Sequence, residues 1–282
     1  MTILAIFSHG LKFARRHPVQ GLAVVLASVS FLCAILLFID WQHDNSRLRQ
    51  LALKITQDKH GRAEKIIAIN DWVYHDQGFA PNHHYFIVSA LGATPLQVMH
   101  HGGPCFDKSR LEMAMLYTLN IPAGLVMLRA CPHCAFVHTV VEAQLDDGRR
   151  MVVDPTWNMV YPGRHGGYLG VQQLHDTKFA GFDVMRAQSS RPGDAKIQSI
   201  LRSNYNFDYA VRMNWNKDAI TRSIAGFLSS VGYDPDTMMR PRFLEAPKLL
   251  LSMASAMLAA GVLFLLLSYQ ILRRVRDRAV RR

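Results

Sequence analysis

The chain is poor in acidic residues and in cysteine: 21 Asp and Glu stand against 32 Lys and Arg, and only four Cys occur in 282 residues. The formal charge of +11 is unevenly placed. Residues 273–282 hold six Arg and one Asp, and the first twenty add Lys12, Arg15 and Arg16, leaving only +3 for everything between. That distribution argues against a nucleic-acid footprint and fits basic flanks that set membrane orientation. The sequence also lacks an internal repeat and any low-complexity tract, which excludes repeat architectures and compositional disorder. Of the four cysteines, Cys131 and Cys134 form one C-x-x-C, and no second ligand pair accompanies it, so a closed zinc site is incomplete.

Two stretches lack charge altogether. Gly21–Ile39 runs 19 residues and Leu249–Leu272 runs 24. Each is long enough to cross a hydrocarbon layer of roughly 30 Å as a helix. No small-x-small cleavage site follows the first run, which is expected to act as an uncleaved signal anchor behind the basic "KFARRHP". The expected organisation is a cytoplasmic N-terminus (1–20), a first span (21–39), an extracytoplasmic domain (41–246), a second span (249–272) and a cytoplasmic Arg-rich tail (273–282). In a bacterium this places the domain in the periplasm and both spans in the inner membrane.

Between the spans, apolar residues first recur at helical intervals: Leu48, Leu51, Leu53 and Ile55, then Ala63, Ile66, Ile67, Ile69, Trp72 and Val73. Two helices broken near His60-Gly61 are predicted, with a short third over Pro95–His100. A fourth begins at Cys105 and stops at Asn120, before Ile121-Pro122; Asp107 and Glu112 suit its positive end. Leu111, Ala114, Met115, Thr118 and Leu119 mark its buried face. From Ala123 the texture becomes β-branched and alternating, giving strands in "AGLVMLRA", "FVHTVVEAQL" and "RRMVVDP", with "DDG" at 146–148 as the turn between the last two. Helices followed by an antiparallel sheet point to an α+β domain. Beyond Asp154 loops and short helices are expected, including one in "NKDAITRSIAGFLSSVG" capped by Asn216.

Cys105 opens its helix after Gly102-Gly103-Pro104. Helix N-H groups there would stabilise a thiolate and could receive an oxyanion, and the Gly-Gly would let backbone approach a substrate. A cysteine nucleophile needs a base and a group that orients the base. His138 lies within the second strand pattern and Asp154 ends the third. A turn centred near residue 146 sets His138 and Asp154 opposite one another. A carboxylate beside His138 would favour its charged form, which in turn favours the Cys105 thiolate.

The series "GGPCFDKSRLEMAMLYTLNIPAGLVML" and "VHTVVEAQLDDGRRMVVDPTWN" resembles the transglutaminase-like superfamily of papain-like thiol enzymes, over about residues 60–160. The resemblance implies a core in which a Cys-bearing helix packs on an antiparallel sheet bearing His and Asp. It implies Cys105 as nucleophile, His138 as general base and Asp154 as orienting acid. Asp107 and Arg110 fall at helix positions that recur in the family. The chain departs from it in having "HTVVE" after the strand entry, where many members have His-Ala or His-Val before Trp, and Pro104 before the cysteine.

No cofactor and no metal is implied. Gln97 is a candidate second oxyanion donor, with a packing or surface role the favoured alternative. For Cys131 and Cys134 a disulfide between strands is favoured over free thiols, zinc or an oxidoreductase motif. His83, His84, His100 and His101 flank the expected cleft. The activity implied is amide hydrolysis or acyl transfer on a protein or peptide substrate, in a cell-envelope or exopolysaccharide setting suggested by membrane-bound bacterial members. The alternative is a catalytically silent scaffold that docks membrane proteins through its spans, for which "SMASAMLAAG" offers small residues at helical spacing.

Overall fold

The computed structural model describes residues 18–78, 84–129, 136–161, 163, 166–176, 209–213, 215, 219–235, 238 and 241–280. Its helices are α1 (Pro18–Ile55), α2 (Arg62–Asp76), α3 (Pro95–His101), α4 (Cys105–Thr118), α5 (Val171–Asp176), α6 (Ala219–Ser230) and α7 (Pro247–Val280). The strands are β1 (Ala123–Arg129), β2 (Phe136–Gln144), β3 (Arg150–Asp154), β4 (Met159–Val160) and β5 (Tyr209–Val211). They form one five-stranded antiparallel sheet in the order β4-β3-β2-β1-β5.

The chain divides into two compact units. One comprises the described residues of Met1–Gln42 and Lys248–Arg282, and the other is His43–Pro247. In the first, α1 and α7 are both long and apolar enough to cross a membrane. They meet through small residues: Ala27, Ser30, Ala34, Ser252 and Ala259 are buried, and the Ser252 hydroxyl donates to the Ala34 carbonyl at 2.8 Å. Lys248 and Asp40 form an ion pair at 2.8 Å. Small side chains let two apolar helices approach closely, so dispersion and hydrogen bonds hold the pair where no hydrophobic drive exists.

Both apolar helices run past the charge-free stretches they contain. α1 runs 38 residues without a break, from Pro18 to Ile55, about 57 Å at the usual rise, and α7 passes Leu272 to Val280. Nothing in "DWQHDNSRLRQ" stops a helix, since it holds neither Gly nor Pro. The end of α1 supplies Leu48 and Ala52 to the domain core. The expected interruption does occur near Gly61, whose extended backbone precedes α2.

The core of the larger unit lies between the sheet and helices α1, α2 and α4. Leu125, Val141, Ala143, Met151 and Val153 from the sheet meet Ile66, Ile69 and Val73 of α2 and Leu111, Met115 and Leu116 of α4. Each of the Val, Leu, Ile and Met side chains contributes about 1.5–3 kcal/mol when fully buried. Helix α4 is buried on more than the predicted face. Asp107, Lys108, Ser109, Arg110 and Glu112 are buried as well, while Ala114, Thr118 and Leu119 are only half-buried.

The β2–β3 hairpin differs in register from the sequence reading. Val141 faces Val153 and Ala143 faces Met151, so the hairpin centres on residue 147 rather than 146. The loop between the strands, residues 145–149, is closed by Leu145 N-H to Arg149 O at 2.8 Å, with Gly148 at φ 83°. Asp154 therefore lies level with Val140, two residues from His138.

Candidate active site

Three side chains expected from the sequence to act together do meet. His138, on β2, places Nε2 2.8 Å from Oδ2 of Asp154 at the end of β3. The two-residue offset is spanned by the imidazole, because residues two apart on a strand share a face. The other carboxylate oxygen, Oδ1, accepts the backbone N-H of Thr156 at 2.8 Å and of Trp157 at 3.3 Å. Asp154 is wholly buried and hydrogen-bonded at both oxygens, so its direction is fixed.

The Cys105 thiol is free of disulfide, half-buried, and hydrogen-bonded to the His138 ring. Because Nε2 is engaged with Asp154, Nδ1 is the nitrogen left for sulfur. Burial pushes the Cys105 thiol up, but the hydrogen bond and charge of His138, together with the Thr139 backbone N-H, outweigh it and lower the pKa. For His138, burial disfavours charge, yet the Asp154 carboxylate and the bond to Cys105 raise the pKa to about 10. The two shifts point to the same state, a thiolate beside an imidazolium.

The start of α4 explains how the sulfur is aimed. Pro104 occupies the N-cap and offers no side-chain cap to the first N-H groups. Gly102 has φ 70°, and a Cβ there would strike the Gly78 carbonyl; a Cβ on Gly103 would lie 2.8 Å from Asp107 Cβ. The Gly-Gly pair thus admits the protein's own backbone at Gly78, with Gly103 N-H donating to Gly78 O at 3.2 Å. This replaces the expectation that the glycines make room for substrate. Gln97 also serves structure: its Oε1 accepts Thr94 N-H at 2.8 Å and its own N-H donates to Thr94 Oγ1 at 3.2 Å, a reciprocal cap on α3.

Two residues escaped the sequence reading. Ser109, one turn after Cys105, donates its hydroxyl to the Thr139 carbonyl at 3.1 Å, so the Thr139 peptide is held by α4 at both ends. Its i, i+4 spacing from the cysteine was the available signal. Lys108 is buried beneath the site with Nζ 5.6 Å from the Tyr74 ring centroid. Burial lowers its pKa to about 8, against the raising effect of Asp154. Glu112 is wholly buried, with neither oxygen hydrogen-bonded among the described residues, and burial holds its carboxyl well above the usual range.

Arg110 lies on the far side of α4. It donates to the Ala93 carbonyl at 2.9 Å, pairs with Glu245 at 3.4 Å and stands over the Phe106 ring at 4.6 Å. Of the flanking histidines, His84 and His101 stack at 3.9 Å between ring centroids. His83, the Cys131–Cys134 pair and Asn216 lie outside the described residues. Among the described residues no group of three or more His, Cys, Asp or Glu is placed to hold a metal.

No family model matches the chain, and no curated protein matches it. Two solved structures are similar to part of it. A candidate cysteine protease from Cytophaga hutchinsonii is 24% identical, with a TM-score of 0.32 over 40% of this chain and 37% of that one. A candidate protease from Parabacteroides distasonis is 15% identical, with a TM-score of 0.31 over 50% of this chain and 30% of that one. The chain thus spans about a third of the length of each.

Proposed function

We propose that the chain is a membrane-anchored thiol enzyme with a papain-like, transglutaminase-like core that opens amides through a thioester. The observation that carries this reading is the continuous set of hydrogen bonds from Cys105 through His138 to the buried Asp154. Cys105 Sγ attacks the amide carbonyl carbon, and the carbonyl π electrons move to oxygen. The first N-H groups of α4, which Pro104 leaves without a side-chain cap, supply donors for that oxyanion. As the C-N bond breaks, the imidazolium of His138 passes its proton to the departing amine. Neutral His138 then takes a proton from water or from an amine, which attacks the thioester and frees Cys105.

Asp154 does not need to change protonation. It keeps Nε2 oriented and stabilises the charged ring. With a water acceptor the product is an acid, and with an amine acceptor it is a new amide. The spans and their basic flanks support an inner-membrane location with both termini cytoplasmic and the domain periplasmic.

Interception of the acyl-enzyme tests the proposal. The full chain in nanodiscs is incubated with a peptide library and hydroxylamine, which converts a thioester to a hydroxamate. Hydroxamate formation that disappears in Cys105→Ala is expected. Equal hydroxamate from Cys105→Ala, or none from either chain across the library, would count against the thioester.

A further inference from the structure

Helix α6 (Ala219–Ser230) is the one described helix of the larger unit, among those of twelve residues or more, with no buried residue. Its apolar residues are nevertheless ordered. Ile220, Ile224 and Phe227, continued by Val231, follow the i, i+4, i+7, i+11 rule and fall within an arc of about 60° at roughly 100° per residue. They are 73%, 45%, 65% and 51% exposed. Arg222, Gly226 and Ser229 lie on the opposite side. A monomeric soluble domain seldom leaves such a stripe in water.

The helix is well formed on its own terms. Gly232 terminates it at φ 87°, with Tyr233 N-H returning to the Leu228 carbonyl at 3.0 Å. The Ser223 and Ser230 hydroxyls donate to the Ala219 and Phe227 carbonyls at 2.9 and 2.6 Å. Hydroxyl protons spent inside the helix leave fewer groups that demand water.

Resting on the membrane reading above, we infer that α6 lies in the membrane interface, with its Ile220–Ile224–Phe227 stripe in lipid and Arg222 toward headgroups. Three features favour lipid as the occupant. Only residues 231–246 separate α6 from α7, the second apolar helix, a reach of at most about 55 Å when fully extended. The end of that connection is anchored on α4: Arg242 stands over the Tyr117 ring at 4.6 Å and Glu245 pairs with Arg110 at 3.4 Å, two residues before Pro247 in the chain. The helix carries one Arg and no carboxylate, the sign that anionic headgroups attract.

Photo-crosslinking tests this in the full chain, in nanodiscs of phosphatidylcholine and phosphatidylglycerol. p-Benzoylphenylalanine replaces Ile224, Phe227, Arg222 or Phe264 in turn, and adducts are identified by mass spectrometry after irradiation. Phe264 is 68% exposed in α7 and reports on the span. Lipid adducts at 224, 227 and 264, several-fold above position 222, are the expected result. Lipid adducts at 264 with none at 224 and 227, whether those remain unreacted or join another part of the chain or a second copy, would overturn the interfacial helix and leave the span intact. Absence of lipid adducts at 264 would overturn the span and the inference together.

Discussion

His138 Nε2 and Asp154 Oδ2 lie 2.8 Å apart although their residues are not cross-strand partners. The contact joins positions two residues out of register, so it depends on where the Asp154 side chain is held as much as on the hairpin. Oδ1, bonded to the N-H groups of Thr156 and Trp157, does that holding.

Asp154→Asn is therefore not a silent change. Both oxygens now accept, and an NH2 group at either position would face a donor. Loss of the carboxylate also removes what keeps the His138 pKa near 10. Activity is expected to fall by about 10²- to 10⁴-fold, and the Cys105 labelling profile to move to higher pH. Steady-state kinetics and thiol titration read these separately.

Ser109→Ala removes the tie between α4 and the Thr139 carbonyl. A stability loss of about 1 kcal/mol is expected, measured as a shift in urea midpoint. Because the Thr139 N-H faces the sulfur, the Cys105 pKa should also rise modestly. A change in stability with no change in thiol titration would restrict Ser109 to packing.

Gly102→Ala should be costly for two separable reasons. The backbone at φ 70° and ψ −169° is a region essentially confined to glycine, costing a side chain about 1–3 kcal/mol, and the added Cβ meets the Gly78 carbonyl. The expected outcome is a lower Tm together with slowed Cys105 labelling, because the same turn aims the start of α4.

Glu112→Gln tests a buried group that the proposed chemistry does not use. Burial raises the Glu112 pKa in the folded state, so its stability contribution is fully present below the unfolded value of about 4.3 and is lost as pH rises toward the folded value. Native stability should thus fall relative to Glu112→Gln between about pH 5 and 8, with the difference vanishing near pH 4. Urea unfolding at several pH values would show it. A pH-independent difference would mean that Glu112 is ionised in the folded chain.

Much of this site was legible in the sequence because it depends on local signals. The Gly-Gly-Pro before Cys105 announced a helix start, and the β-branched alternation around His138 and before Asp154 announced strands. The "DDG" turn lies where the sequence placed it, but the Leu145–Arg149 closing bond centres it on Asp147, one residue beyond the expected centre. Local sequence did not announce the burial of Lys108, Arg110 and Glu112, which comes from the sheet, α2 and the Arg242–Glu245 turn, none of which α4 itself encodes.

The most direct measurement is the pH dependence of iodoacetamide labelling at Cys105 in the full chain, mapped by mass spectrometry against His138→Ala. The account predicts fast labelling below the reference thiol pKa of about 8.5, with a further change near pH 10 as His138 loses its proton. In His138→Ala the low-pH reactivity should vanish. Slow labelling of the native chain that rises only through the ordinary thiol range, unchanged by His138→Ala, would contradict a primed Cys105–His138 pair.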